Sequence, residues 1–382
     1  MTAPIRALVL VDAFRMGGAE TLLAPMIVAS RDTDVRMDVV SVSPAALNSE
    51  KTMKILAEAG IETRSLGIRR LLDPVALPRL TNVIRRGGYD VVHAHLEMAM
   101  TLAVPAAALA RRPVVCTFHH VARPLTGRAG GRERLAVEAA TRSHRALFVS
   151  EASRRSFQEF YRPRRMPSNW EVMHNGIDVT NFVAGEVDPA LRAELRGRSE
   201  GPLVVVPAAF RDFKGIPVAI RAWSLVTQRF PDAVLALVGG GELEGELRAL
   251  VAEAGLGDSV VFAGVRTDMP EVYRAADVVL LPSTYGENLP TVLIEASATG
   301  CAIAASRVGG IPDIVPDEVT GLLFEPGSPE GLAEAVCRLL GDGELRARLG
   351  SAAQDRARAE FSAAAWVARL RSTYLEAMGR RR

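Results

Sequence analysis

The sequence predicts an α/β protein of two doubly wound domains whose strand ends face a central cleft. Three observations carry that prediction. Apolar runs without alternation recur with helical patterns between them, which is how parallel strands covered on both faces read. That rhythm pauses once, in a polar stretch near the middle of the chain. At 382 residues the chain also exceeds what one small core organises, so two domains are expected.

In the first half, Ile5–Val11 reads as a buried strand. The loop Asp12–Gly18 follows it, then a helix over Ala19–Ser30. Further strands are expected at Met37–Val42, Tyr89–His93, Pro113–Thr117 and Ala146–Ser150, with helices between them that include Pro74–Arg86 and Arg132–His144. The pause falls at Asn175–Arg198, with the linker near Phe182–Pro189 and Asn175-Gly176-Ile177-Asp178 as a turn before it. A second series has strands at Pro202–Val206, Ala233–Val238, Ser259–Phe262, Asp277–Leu281 and Cys301–Ala304. Its helices are expected at Gly215–Arg229, Glu242–Ala254, Pro290–Thr299 and Ser328–Leu340. The last helix, about Ser362–Met378, presents Trp366, Leu370 and Tyr374 at a spacing of four, an apolar stripe that needs a partner.

Composition narrows the classes. Hydrophobic content of 48% with 24% charged residues is globular. The 3 cysteines, Cys116, Cys301 and Cys337, are scattered and form no CxxC pair, which fits a reducing compartment and offers no metal site. The run Ile5–Val11 contains Arg6 and is closed by Asp12, unlike a secretory signal. Met98–Ala110 is too short to span a bilayer and contains Pro105. A cytoplasmic location is therefore expected. The net charge of +2 hides an asymmetry: residues 1–183 carry +8 and the remainder −6. Most of the excess lies in Arg123–Arg165, with 11 Arg and 4 Glu. This is either a solvated face or a surface for an anionic membrane or acidic acceptor, which would make the protein peripheral at the inner face of the membrane. The aromatic residues of that stretch, Phe148, Phe157, Phe160 and Tyr161, do not alternate with its arginines, so nucleic acid is not expected as a partner.

The chemistry concentrates after Asp277–Leu281. Pro282 ends that strand, and the polar loop Ser283–Leu289 leads to Pro290 as the expected first helical residue. Glu287 lies in the loop and Glu295 about two turns into the helix, so both carboxylates face one crevice. The first backbone N–H groups, from Leu289 through Thr291 to Val292, would attract a diphosphate. Such a layout suits a ligand with phosphates in the middle and hydroxyls at both ends. An ordinary βα loop with two solvated glutamates is the alternative.

Other segments point the same way. Gly17-Gly18-Ala19-Glu20 opens a helix, where Gly18 lets backbone approach an anionic ligand. It is not a GxGxxG fingerprint, so a nicotinamide cofactor is not expected. Arg211 and Lys214 follow the strand Pro202–Val206 and suit a leaving diphosphate. His119 lies just past a strand C-terminus, where ligands bind in open α/β sheets. His93, His95 and His120 read as packing residues or bystanders. These four histidines fall on separate elements with no carboxylate at ligand spacing, so no metal is expected. The turn Gly239-Gly240-Gly241-Glu242 serves either close approach to a nucleotide, through Gly240, or a tight turn. No Ser/His/Asp triad or P-loop is visible.

Together these segments resemble the retaining glycosyltransferases of family 4, the large GT-B group that uses nucleotide-sugar donors. The likeness covers nearly the whole chain and is densest in the second half. Glu287-(x7)-Glu295 with Asn288-Leu289-Pro290 is similar to that family's Glu-x7-Glu motif. Asp277–Ser283, Val308–Pro312 and Thr320-Gly321-Leu322 are similar to its flanks. Gly17–Glu20, Tyr89–Leu96, Val115–His119 and Asn175–Asp178 match in order in the first half.

The resemblance implies a GT-B fold of two Rossmann-like domains. An acceptor-binding domain would cover 1–183 and a nucleotide-sugar-binding domain 184–361, with the helix of 362–382 crossing back onto the first. It implies that Glu295 holds the ribose hydroxyls. Glu287, with the N–H groups of Asn288 and Leu289, would hold the transferred sugar. Lys214 would contact the diphosphate, His119 the sugar near its anomeric centre, and Gly18 the phosphates or acceptor. Gly264–Arg266 is the loop expected at the base, with Arg266 as a donor contact. Ala209 stands where the family often has arginine, and Arg211 is the substitute; His120 stands where the family often has Asp or another polar residue.

The implied reaction moves a sugar from a nucleotide-diphosphate sugar, UDP-sugar favoured, to an acceptor hydroxyl with retention. No cofactor or metal is expected. The acceptor stays open among glycan, lipid-linked and small polar molecules. The alternatives are a nucleotide-sugar epimerase of the same architecture and a non-catalytic two-lobed nucleotide-binding protein.

Overall fold

A computed structural model of the chain describes residues 3–162 and 164–379. Two compact units emerge: Met1–Ile177 with Ala363–Arg382, and Asp178–Ser362. The first boundary, expected at 183/184, falls at 177/178. The reason is packing: the Phe182 ring lies 6.2 Å from that of Tyr273, and the Val183 carbonyl accepts from Arg274 at 3.2 Å, so this stretch belongs with the second unit.

Unit 1 is a parallel sheet. Its strands are β1 Ile5–Val11, β2 Val35–Ser41, β3 Thr63–Ser65, β4 Val91–His95, β5 Val114–Phe118, β6 Arg145–Phe148 and β7 Trp170–Val172. Their order is β3-β2-β1-β4-β5-β6-β7. The order reverses between β1 and β4, and an open sheet of this kind takes ligands beyond the strand C-termini at such a point. Leu8, Leu10, Val92, Ala94, Phe118 and Phe148 are buried in one apolar core, which is why these runs show no alternation.

The helix expected over Ala19–Ser30 is two pieces, Gly18–Thr21 and Leu23–Ser30. Pro25 explains the break, because it has no N–H to give the Thr21 carbonyl. The final helix, Ala363–Gly379, belongs to unit 1 and buries Trp366, Leu370 and Tyr374 there. Residues 380–382 of the expected C-terminal segment lie outside the described residues.

Unit 2 repeats the plan with β8 Leu203–Pro207, β9 Val234–Val238, β10 Val260–Gly264, β11 Val278–Leu281, β12 Ala302–Ser306 and β13 Leu322–Phe324. The order is β10-β9-β8-β11-β12-β13, with the reversal at β8 and β11. Trp223, Leu235, Leu280 and Val336 anchor its core. Among the described residues no helix is long and apolar enough to cross a membrane.

Candidate functional site

In unit 2 the site grows from two neighbouring strand ends. After β8 the chain makes the short turn Asp212–Lys214 and then Gly215, at φ +65°. A Cβ on Gly215 would lie 2.0 Å from the Pro282 carbonyl oxygen, so only glycine lets this turn rest on the loop after β11. The Thr284 N–H donates to the Phe213 carbonyl at 2.8 Å and fixes the contact. Lys214 Nζ is thereby held 2.5 Å from Glu287 Oε1, and Ser283 Oγ donates to the same oxygen at 2.6 Å.

Glu287 is only 5% exposed. Gly309, at φ +57°, presses against its backbone: a Cβ there would lie 1.9 Å from the Glu287 carbonyl oxygen. A buried carboxylate needs such a cation and hydroxyl, because burial without partners costs several kcal/mol, roughly.

Pro290 is the N-cap rather than the first helical residue; the helix runs Thr291–Ala298 with no side-chain cap. Its leading N–H groups follow directly on Asn288 and Leu289, both half-buried. Further in, Glu295 accepts from the Tyr273 hydroxyl at 2.9 Å. Burial pushes its carboxyl above the usual range, opposed by hydrogen bonds from Tyr273 and Thr291. Glu295 and Arg266 line one cavity of about 520 Å³ with Asn181, Phe182, Met269 and Pro270. The Arg266 guanidinium is engaged by Asp268 at 2.7 Å and Glu194 at 2.7 Å, which holds it firmly protonated.

A larger cavity, about 750 Å³, is lined by Gly201, Ala233 and Ser259. Those residues precede the strands, the wrong end of the sheet for a ligand of this architecture. Lys214 is thus brought to Glu287, and Arg266 to the cavity of Glu295. Arg211 is exposed, and Gly240 meets the preceding loop by accepting from the Phe210 N–H at 2.9 Å.

In unit 1, His119 stands just past β5. Its Nε2 is 2.7 Å from His95 Nδ1, and its Nδ1 is 3.4 Å from Asn175 Nδ2. Burial, then the neighbouring His95 and His120, push its pKa well below the usual value, so it is a neutral imidazole. Next to it, His93 bridges Thr117 and Tyr374 at 2.7 Å each, and burial lowers its pKa to about 3. Asn175, expected in a turn, is buried and serves as the far partner of His119. Gly18 opens the helical turn Gly18–Thr21.

The expectation that no carboxylate accompanies the histidines is corrected: folding puts Glu133 Oε1 2.6 Å from His120 Nε2. Within Arg123–Arg165, Arg142, Arg145, Arg154, Arg155 and Arg162 pair with carboxylates of unit 1; Pro163 lies outside the described residues.

Sequence reasoning missed Ser283, Tyr273, Asn175 and Glu133. Ser283 was within reach, since it adjoins the loop of Glu287. The others are distant in sequence from the residues they hold.

Two family models match this chain: "Glycosyltransferase Family 4" over residues 16–181 and "Glycosyl transferases group 1" over residues 187–356. The D-inositol 3-phosphate glycosyltransferase of Corynebacterium efficiens is 30% identical over 324 residues, covering 77% of this chain and 73% of that enzyme. The chain belongs to the family-4 glycosyltransferases. A second relative, the GDP-mannose-dependent alpha-(1-6)-phosphatidylinositol monomannoside mannosyltransferase of Mycobacterium tuberculosis, is 35% identical over 219 residues. That match covers 54% of this chain and 55% of that enzyme, so this family-4 chain spans about half its relative's length. The crystal structure of Anabaena HepE in complex with UDP superposes with a TM-score of 0.83 at 24% identity, covering 97% of this chain and 100% of that one. The two parallel-sheet, Rossmann-like halves are thus those of the GT-B glycosyltransferases.

Proposed function

We propose that the protein transfers a sugar from a nucleotide-diphosphate sugar to an acceptor hydroxyl, with retention of anomeric configuration. The observation that carries this reading is the Lys214–Glu287–Ser283 cluster directly before the uncapped helix start at Thr291. An ammonium and a helix N-terminus on one loop system suit a diphosphate leaving group. A buried carboxylate beside them suits the hydroxyls of the attached sugar.

In this reading Lys214 and Arg211 neutralise the charge that builds on the diphosphate as the anomeric C–O bond breaks. Glu287 and the N–H groups of Asn288 and Leu289 hold the sugar. Glu295, oriented by Tyr273, takes the ribose hydroxyls, and the base lies in the cavity lined by Arg266, with Gly240 at its approach. The acceptor oxygen attacks the face the diphosphate leaves, through an oxocarbenium-like state, and a phosphate oxygen receives its proton. Neutral His119 hydrogen-bonds the sugar near the anomeric centre, and Gly18 lies against the phosphates or acceptor. These cations supply the charge that a metal would otherwise supply at the diphosphate.

Uridine is the base favoured by the sequence resemblance. Guanosine is the second reading, because the mannosyltransferase relative is by its name GDP-mannose-dependent. Thermal shift against UDP, GDP and their sugars separates the two, since a ligand of the folded state raises Tm. Transfer of labelled sugar to polyol or lipid-linked acceptors, with the product anomer read by NMR, tests the reaction. Isomerised donor without acceptor would indicate an epimerase instead, and binding with no turnover on any acceptor a non-catalytic protein.

A further inference from the structure

Beside the histidine chain of unit 1 lies a second cluster that glycosyl transfer as proposed above does not use. Glu97 opens the helix Glu97–Ala110, His120 follows β5, and Glu133 sits in the helix Gly127–Thr141. One ligand atom from each lies within 4.8 Å of the others. We propose that His120 Nε2 and the carboxylates of Glu133 and Glu97 form a binding site for a first-row divalent cation, Zn2+ or Mn2+.

The strongest support is Glu133. It is fully buried, yet among the described residues its only ion pair is with His120, whose side chain is 42% exposed. Arg123 acts on it only at longer range. The contacts of Glu133 are an imidazole and a phenol, so its carboxylate is hydrogen-bonded but has no fixed cation against it, and a bound divalent ion would supply one.

The arrangement around the three groups is that of an oriented ligand set. The Tyr161 hydroxyl donates to Glu133 Oε2, which leaves Oε1 directed at His120. An outer hydrogen bond of this kind fixes which oxygen is presented to a metal. The His120 ring is held edge-on by Phe157 at 5.2 Å, and its backbone carbonyl accepts from Ser153 Oγ at 2.6 Å. Leu96, at φ +70°, turns the chain sharply between β4 and the next helix and so delivers Glu97. Arg132 is the competing cation at Glu97, at a loose 3.8 Å and half exposed.

One imidazole and two carboxylates select first-row ions over Mg2+ or Ca2+, which prefer all-oxygen sets. Three protein ligands leave positions for further oxygen ligands, from water or a polyhydroxyl or anionic group.

Titration calorimetry of the metal-stripped full chain with ZnCl2 and with MnCl2 tests this, with MgCl2 as the control. The expected result is one cation per chain, a Tm rise of at least about 4 °C at a hundredfold excess over Kd, and weaker binding of Mg2+. Glu97→Gln, at a partly exposed position, and Glu133→Gln should each weaken binding at least about tenfold. Tyr161→Phe should do so about tenfold through the lost orientation. If Glu133→Gln does not fold, Glu97→Gln decides alone. Absence of binding would overturn the site and leave a hydrogen-bonded His–Glu pair. Binding of unchanged strength in the Gln variants would also overturn it, as adventitious. Donor binding to unit 2 is read separately, so failure here leaves the transferase reading intact.

Discussion

The Lys214–Glu287 pair of unit 2 and the His95–His119–Asn175 chain of unit 1 bury polar groups in opposite ways. In unit 2 an ammonium and a carboxylate meet directly, 2.5 Å apart, with Ser283 as a further donor. In unit 1 the imidazoles escape the cost of burial by remaining neutral and passing hydrogen bonds along a row. The difference matches what each unit would handle. A diphosphate needs fixed positive charge, whereas an acceptor hydroxyl is served by neutral donors and acceptors that exchange partners cheaply.

The comparison breaks most visibly at Lys214. Lys214→Ala strands a buried carboxylate, so about 3 kcal/mol of stability should go, along with at least about tenfold of donor turnover. Pairing Lys214→Met with Glu287→Gln removes both charges. That double variant should recover much of the urea midpoint but none of the turnover. Full recovery of both would show that the pair is structural only.

Gly309→Ala sharpens the same side without touching a charge. The added methyl meets the Glu287 carbonyl and forces a positive φ on alanine, so about 2 kcal/mol should be lost on urea unfolding. On the neutral side, Tyr374→Phe leaves a buried His93 nitrogen without its partner at about 1–2 kcal/mol, with turnover unchanged. A larger stability loss there than at Lys214 would invert the contrast. The smallest effect belongs to Arg371→Ala: its ion pair with Asp34 lies at the surface, and no measurable change in Tm is expected.

Much of this was legible in the sequence, for physical reasons. Strands buried on both faces produce long apolar runs, so β1 was read over its observed span, Ile5–Val11, and the others near theirs. The edge strands Thr63–Ser65, Trp170–Val172 and Leu322–Phe324 were missed, because three residues carry no period. The helix Gly343–Glu360 was missed as well. Its buried face is Leu349, Ala353 and Ala357, a stripe too small to stand out.

At the site, the loop carrying Glu287 and the helix carrying Glu295 were readable because capping and turn chemistry are local. The contact of Lys214 with Glu287 spans two strand ends, and that of His120 with Glu133 joins a loop to a helix. Such contacts exist only once the sheet order is known. His119 was placed correctly after a strand, but its partners His95 and Asn175 come from another strand end and from a segment read as a turn.

The most direct measurement is calorimetric binding of the nucleoside, its monophosphate and its diphosphate to wild type and to Lys214→Ala. If Lys214 grips the pyrophosphoryl group, wild type should bind the diphosphate at least about tenfold tighter than the monophosphate, and Lys214→Ala should lose that increment while binding the nucleoside as before. An unchanged preference for the diphosphate in Lys214→Ala would contradict it.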